Sequence, residues 1–178
     1  LTSNVHKTGT DRIHEALDKI GSRNVELVMN LQGDEPLMEI NDIKNLHTQM
    51  IKSKTEIGTL ASKIIDKSLY ENKNVVKVIT NESFEKSTFP MAKNFIRKIS
   101  NINENIYHHL GIYCYQLETL KKFISLDQSD NEKKNKLEQL RALDNNININ
   151  VALAKSSPIG VDTKEDFLAI KKFMEYKT

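Results

Sequence analysis

Gln32-Gly33-Asp34-Glu35-Pro36 puts an amide and two carboxylates at the end of an apolar run that opens Leu27-Val28-Met29. A carboxylate on a turn beyond a strand can hold a hard divalent cation through one or two oxygens, leaving the other positions to phosphate and water. In open α/β sheets, ligands sit in that crevice past the strand ends. The same residues read equally well as a surface strand stop, with Gly33 allowing a sharp turn and Pro36 ending the pairing. A second acid, Asp162, follows Pro158 and Gly160 in SSPIGVDTKEDF, where helix capping is the plainer reading. In VHKTGTDR, Gly9 and Thr10 precede a helix, with Arg12 in its first turn. The free N–H groups there suit an anion or a polar base edge, and they also suit a plain N-cap.

Two further stretches carry candidates. His108 and His109 are neighbours on a strand, so their side chains point to opposite faces and cannot chelate one metal; one can face a pocket and the other a sheet surface. Cys114, farther along that strand, reads as a small core residue. Glu138, Gln139 and Arg141 share one helix in KLEQLR, by themselves a solvated face above Leu137 and Leu140.

These residues need elements to place them. Residues 10–20 pattern as a helix capped by Thr10 and stopped by Gly21, and 25–31 as a strand covered on both sides. Asn41 is expected to cap a helix with Ile43, Leu46, Met50 and Ile51 inward. Strands are expected at 57–63, 75–79, 107–115 and 147–154, and helices at 117–124, after 135 to about Leu143, and from Thr163 onward. Thr163 and Asp166 form a capping box for the last helix, with Phe167, Ile170, Phe173 and Met174 inward. Strand–helix alternation at both ends predicts an α/β fold of one domain over residues 1–178, with a strand-rich middle subdomain at 57–115.

The totals exclude several classes. The chain has 178 residues, 38% apolar and 28% charged, with net charge +2, too small to argue for nucleic acid. No apolar run approaches the roughly 20 residues that cross a bilayer, so no membrane insertion is expected. A single cysteine excludes an internal disulfide and fits a reducing, cytoplasmic setting. Only four basic residues are arginines: Arg12, Arg23, Arg97 and Arg141. Their planar fork suits phosphate and carboxylate, so they carry more information than the lysines. No Gly-rich phosphate loop occurs.

In their shared order, HKTGTDRI, LVMNLQGDEPLM, NVVKV, HHLGIYCY, KLEQLRAL and GVDTKEDF resemble the 3-deoxy-manno-octulosonate (Kdo) cytidylyltransferases, or CMP-Kdo synthetases, across nearly the whole chain. The resemblance implies a Rossmann-like nucleotidyltransferase sheet. It implies transfer of CMP from CTP to the sugar acid, with release of pyrophosphate, for lipopolysaccharide biosynthesis. It assigns Mg²⁺ to Asp34 and Asp162, the catalytic pair. Gly9, Thr10 and Gln32 fall beside the nucleotide, and Arg12, His109, Tyr113, Glu138 and Gln139 beside the sugar. CTP and a sugar acid are the implied partners, and a second copy of the chain is the implied protein partner.

The same resemblance places a first strand and a basic loop of the type PARxxSxRLPxK, which grips the triphosphate, outside this sequence. The first βα units are therefore expected to be missing, on the order of 75 residues by the usual size of such domains. The chain alone is accordingly expected to be inactive and to bind CTP weakly, since a triphosphate without its cationic cradle is poorly matched. Where the family has a Phe-Ser-Arg stretch before a proline, FEKSTFP is read here, with Lys86 and Lys93 in basic positions; Asn135 replaces a usual acid. These departures leave two alternatives, a cytidylyltransferase for another sugar acid and a non-catalytic, partner-binding remnant.

Overall fold

A computed structural model describes residues 1–6, 8–99, 105–156, 160–161 and 163–175. Helix α1 runs Gly9–Ile20 and is capped by Thr8, not Thr10. The reason is spacing. Asp11 stands three residues after Thr8, so the Thr8 hydroxyl accepts from Asp11 N–H while the Asp11 carboxylate accepts from Thr8 N–H. Thr10 is thereby carried into the first turn and buried. Gly21 ends α1 at φ 85°. Strand β1 is Leu27–Asn30 and helix α2 is Ile40–Ser53. The cap position of α2 is Glu39 rather than Asn41, and the inward stripe is Asp42, Leu46 and Met50, with Ile51 exposed. The helix is rotated from the apolar expectation because Asp42 has a buried hydrogen-bonding task.

Strand β2, Ile57–Ser62, is buried at every position. Strands β3 (Lys77–Thr80), β4 (Ala92–Ile96) and β5 (Ile106–Gln116) follow; β4 stands outside the strands expected from patterning. Helix α3 is Leu117–Ile124. The helix expected to end near Leu143 is two pieces, α4 (Asp130–Asn135) and α5 (Leu140–Asp144), parted where Lys136 adopts φ 53°. Strand β6 is Ile149–Leu153 and helix α6 is Lys164–Glu175. The Thr163–Asp166 capping box forms as expected. Of the residues expected to face inward on α6, only Ile170 is buried; Phe167, Phe173 and Met174 are about half exposed. Phe167 and Met174 border a groove shared with Gly33, Pro36 and Val161 rather than the sheet.

All six strands form one sheet in the order β4-β3-β5-β2-β6, with β1 also on β5. Residues 57–115 supply β2 to β5 of this same sheet. Among the described residues only β2 and β6 pair in parallel. Along its second half β5 lies between β1 and β2, and along its first half between β3 and β2. Thr59 pairs with Tyr113 but Leu60 pairs with Leu110, so β5 carries two extra residues there. An even insertion preserves the alternation of faces. Tyr113 and Tyr115 therefore join one core with Ile57 and Val78, while Leu110, Ile112 and Cys114 join the other with Leu46 and Met50. Among the described residues no helix is long and apolar enough to cross a membrane.

Helix α2 presses on β2 at Gly58, where a Cβ would stand 2.6 Å from Met50 Sδ and 2.9 Å from Leu46 Cδ1. Gly58→Ala is expected to lower unfolding stability by about 1–3 kcal/mol, the scale of overpacking. Urea denaturation should show the shifted midpoint at an unchanged m-value.

Candidate active site

A cavity of about 590 Å³ opens beside the sheet. Its wall draws on the turn after β1 (Gln32, Asp34, Glu35), on β5, on the approach to β3, on Arg97 after β4, on the α4–α5 link and on the start of α6. Six of the residues that the resemblance assigns to the site meet there: Gln32, Asp34, His109, Tyr113, Glu138 and Gln139. They come from three separate segments.

The β1 turn is set by its own backbone, with Glu35 N–H donating to Gln32 O at 3.2 Å. Gly33 lies in the turn, as expected, but with no left-handed backbone, and a Cβ there would meet nothing within 4 Å. The glycine that matters is Gly111 on β5, where a Cβ would crowd Gln32 Oε1 at 3.2 Å. Asp34 is joined to the β6–α6 loop through its backbone, since Val161 N–H donates to Asp34 O at 2.8 Å. Asp162 lies outside the described residues; its neighbours Val161 and Thr163 flank Asp34 in the two adjoining hollows. The same loop is fixed at its entry by buried Asp42, whose carboxylate accepts from Lys155 N–H (3.0 Å), Ser156 N–H (3.3 Å) and the Ser156 hydroxyl (2.9 Å).

On the sheet face, five rings and one cation form a file. Phe95 and His109 stand 5.0 Å apart, His109 and Tyr113 5.4 Å, Tyr113 and Tyr115 5.9 Å, and Tyr115 and Phe123 6.3 Å. The Arg141 guanidinium covers Phe123 at 4.6 Å. Thr59 donates its one hydroxyl hydrogen to Ile112 O at 2.7 Å and accepts from His109 Nε2 at 3.0 Å. That assignment leaves His109 Nδ1 unprotonated as an acceptor. Burial, aided by His108, pushes the His109 pKa down to about 3, so the ring is neutral at physiological pH. Burial pushes the Tyr113 and Tyr115 phenols up, keeping both protonated. His108 also borders the cavity, which runs on to the Asn72–Val76 approach to β3.

Glu138 and Gln139 do not form the solvated helix face expected of them. The break at Lys136 places them instead between α4 and α5, on the cavity wall. Burial raises the Glu138 pKa, against the lowering effect of hydrogen bonds to Thr10 and Thr8. Its Oε1 has no hydrogen-bond partner among the described residues. Thr10 also shares a hydrogen bond with the Tyr115 hydroxyl at 3.4 Å. Arg141, far from solvated, is buried with Glu132 in a two-pronged ion pair at 2.6 and 2.8 Å.

Two expectations move. Arg12 is exposed, and its guanidinium donates to Thr2 Oγ1 (2.8 Å) and Ser3 O (2.9 Å), so it and exposed Gly9 do not line the cavity. Lys86 and Lys93 are exposed too; the basic residue on the wall is Arg97, just past the end of β4. The signal is present in Phe95-Ile96-Arg97, which keeps the aromatic–x–arginine spacing that FEKSTFP lacks.

The cytidylyltransferase family model matches residues 1–149. The 3-deoxy-manno-octulosonate cytidylyltransferase of Bartonella quintana (strain Toulouse) is 36% identical over 182 residues, covering 98% of this chain and 72% of the relative. That of Thermodesulfovibrio yellowstonii (strain ATCC 51303 / DSM 11347 / YP87) is 39% identical over 182 residues, with coverages of 97% and 71%. A solved CMP:2-keto-3-deoxy-manno-octonic acid synthetase complexed with CTP superimposes with a TM-score of 0.84 at 29% identity, covering 99% of this chain and 72% of that one. UDP-glucose pyrophosphorylase complexed with UDP-glucose shares the fold alone, at a TM-score of 0.67 and 14% identity over 97% of this chain and 64% of that one.

The low His109 pKa has a thermodynamic consequence. The unfolded imidazole titrates near 6.5 and the folded one near 3, so unfolding takes up a proton between those values. The stability linked to His109 is complete above pH 6.5 and is lost as pH falls, at up to about 1.4 kcal/mol per unit. His109→Gln should flatten the difference between urea unfolding curves at about pH 7.5 and about pH 5. An unchanged slope would contradict the buried neutral ring.

Proposed function

The chain belongs to the cytidylyltransferase family, among the 3-deoxy-manno-octulosonate enzymes, and from that premise we propose that it transfers CMP from CTP to 3-deoxy-manno-octulosonate with release of pyrophosphate. The observation that carries this reading is the convergence of Gln32, Asp34, His109, Tyr113, Glu138 and Gln139 on one cavity. The reading extends to a cytoplasmic, homodimeric enzyme serving lipopolysaccharide synthesis.

Asp34, Glu35 and Asp166 all stand on the cavity wall, and carboxylate oxygens are the donors that suit Mg²⁺. Asp34 and Asp162 would hold the ion. When bound, it offsets phosphate charge and eases deprotonation of the attacking anomeric hydroxyl. The protein residues bind and orient. Gln32, held close against Gly111, offers its amide to the nucleotide side. His109 Nδ1 accepts from a sugar hydroxyl, and the protonated Tyr113 phenol donates. Glu138 Oε1, buried without a partner among the described residues, accepts from another hydroxyl. Gln139 meets the sugar as donor or acceptor. Arg97 uses three of its N–H groups on backbone carbonyls and keeps two for the carboxylate of the sugar acid. Fixing the hydroxyl in line with the α-phosphate is the main service of such a wall.

The test supplies the whole gene product with CTP, Mg²⁺ and a panel of sugar acids, and follows pyrophosphate. Release is expected with 3-deoxy-manno-octulosonate and weakly or not at all with nine-carbon sugar acids; the opposite preference would reassign the substrate, and silence throughout would sink the reading. Asp34→Asn and Asp162→Asn are each expected to lower kcat by roughly 10²–10³-fold or more, with unchanged melting temperature. Near-normal turnover in either variant would remove that residue from the metal site.

A further inference from the structure

Among the described residues Lys77 is one of the largest fully buried side chains, with no exposed surface. Lysine is almost never found in that state unless paired. Here it sits in β3 between Ile96 of β4 and His108 of β5. Its ammonium donates to two backbone carbonyls, Asn72 O at 2.6 Å and Arg97 O at 2.9 Å. Among the described residues no carboxylate forms an ion pair with it. An apolar side chain of similar length would fill the space without the desolvation of a charge. The charge therefore has a task that filling space does not explain.

That task lies in what the two carbonyls belong to. Asn72 and Arg97 are distant in sequence, outside any strand, and both line the cavity. The Arg97 side chain continues the connection. Its Nη1 donates to Lys73 O, its Nε to Asn135 O and its Nη2 to Lys136 O, each at 3.2 Å. Lys136 is two residues from Glu138. One ammonium thus fixes the backbone of Arg97, and Arg97 joins the Asn72–Val76 wall to the α4–α5 link.

We propose that Lys77 is a positioning residue for the sugar acid: its buried ammonium holds the backbones of Asn72 and Arg97 so that the Arg97 guanidinium stands fixed in the cavity wall. This rests on the reading that the cavity takes a sugar acid. Lys77 itself touches no substrate. Burial and the neighbouring guanidinium both lower the Lys77 pKa, consistent with a cation held by carbonyl dipoles rather than by a counter-charge.

The test compares Lys77→Met, Lys77→Arg and Arg97→Ala in the whole gene product, reading KM for 3-deoxy-manno-octulosonate and for CTP separately, with kcat and melting temperature. Lys77→Met is expected to raise the sugar-acid KM about ten-fold, a loss of one decade in affinity, while the CTP KM stays within about twofold. Lys77→Arg, which restores N–H donors, should recover part of the loss. In the Arg97→Ala background, Lys77→Met should add less than about twofold, since nothing remains to be positioned. If both KM values rise together, if only the melting temperature falls, or if the two substitutions multiply, the lysine is structural and the proposal fails. Should Lys77→Met not accumulate as folded protein, Lys77→Gln takes its place: a selective rise in the sugar-acid KM supports the proposal, and a parallel rise in both KM values overturns it. Wild-type protein inactive on every sugar acid would fail the functional reading; active wild type with an unaltered Lys77→Met variant fails this inference alone.

Discussion

Two surplus residues in β5 are the constraint on which the site depends. A bulge leaves carbonyls off the ladder. Thr59 closes the gap, giving its hydroxyl hydrogen to Ile112 O while Leu110 O lies 3.4 Å away. With that hydrogen committed, the same oxygen accepts from His109 and so fixes its tautomer. Because the insertion is even, His109, Tyr113 and Tyr115 remain on one side of the sheet, and Gly111 in the bulge leaves room for Gln32. A backbone requirement, a tautomer and a ring file follow from one local irregularity in strand pairing.

Around this rigid face, the irregular segments are anchored by buried charges. Asp42 reaches from α2 to the backbone of Lys155 and Ser156. Lys77 reaches from β3 to Asn72 and Arg97. Arg141 and Glu132 bracket the α4–α5 link, and Glu132 also caps α4 with Ser129. Loops have no ladder to hold them, so a charge with several hydrogen bonds is an effective tether. Removing one partner of such an arrangement leaves an unsatisfied buried charge, so a substitution at these positions is expected to be costly.

Sequence patterning reaches the helices α1, α3 and α6, the long strand β5 and the α/β class because each rests on a local period or cap. It misses β4, whose five residues alternate poorly, with Lys93 and Asn94 both outward. It misreads residues 136–141, since the left-handed Lys136 and the buried Glu132–Arg141 pair are tertiary events with no periodic signature. The same limit hides Asp42 and Lys77: a charged residue is assigned to the surface unless its partner, far along the chain, is known. The stretches that carry the motif order nevertheless supply most of the cavity wall; Arg12 lies off that wall with its guanidinium on Thr2 and Ser3, and across the divergent stretch Arg97 rather than Lys86 stands on it.

The sequence contains no tryptophan and five tyrosines, and two of these, Tyr113 and Tyr115, stack within the cavity wall. Two of the five intrinsic fluorophores therefore belong to the surface that a ligand would cover. A ligand in the cavity would stand against both rings, so its binding is expected to change the tyrosine emission of the unlabelled protein.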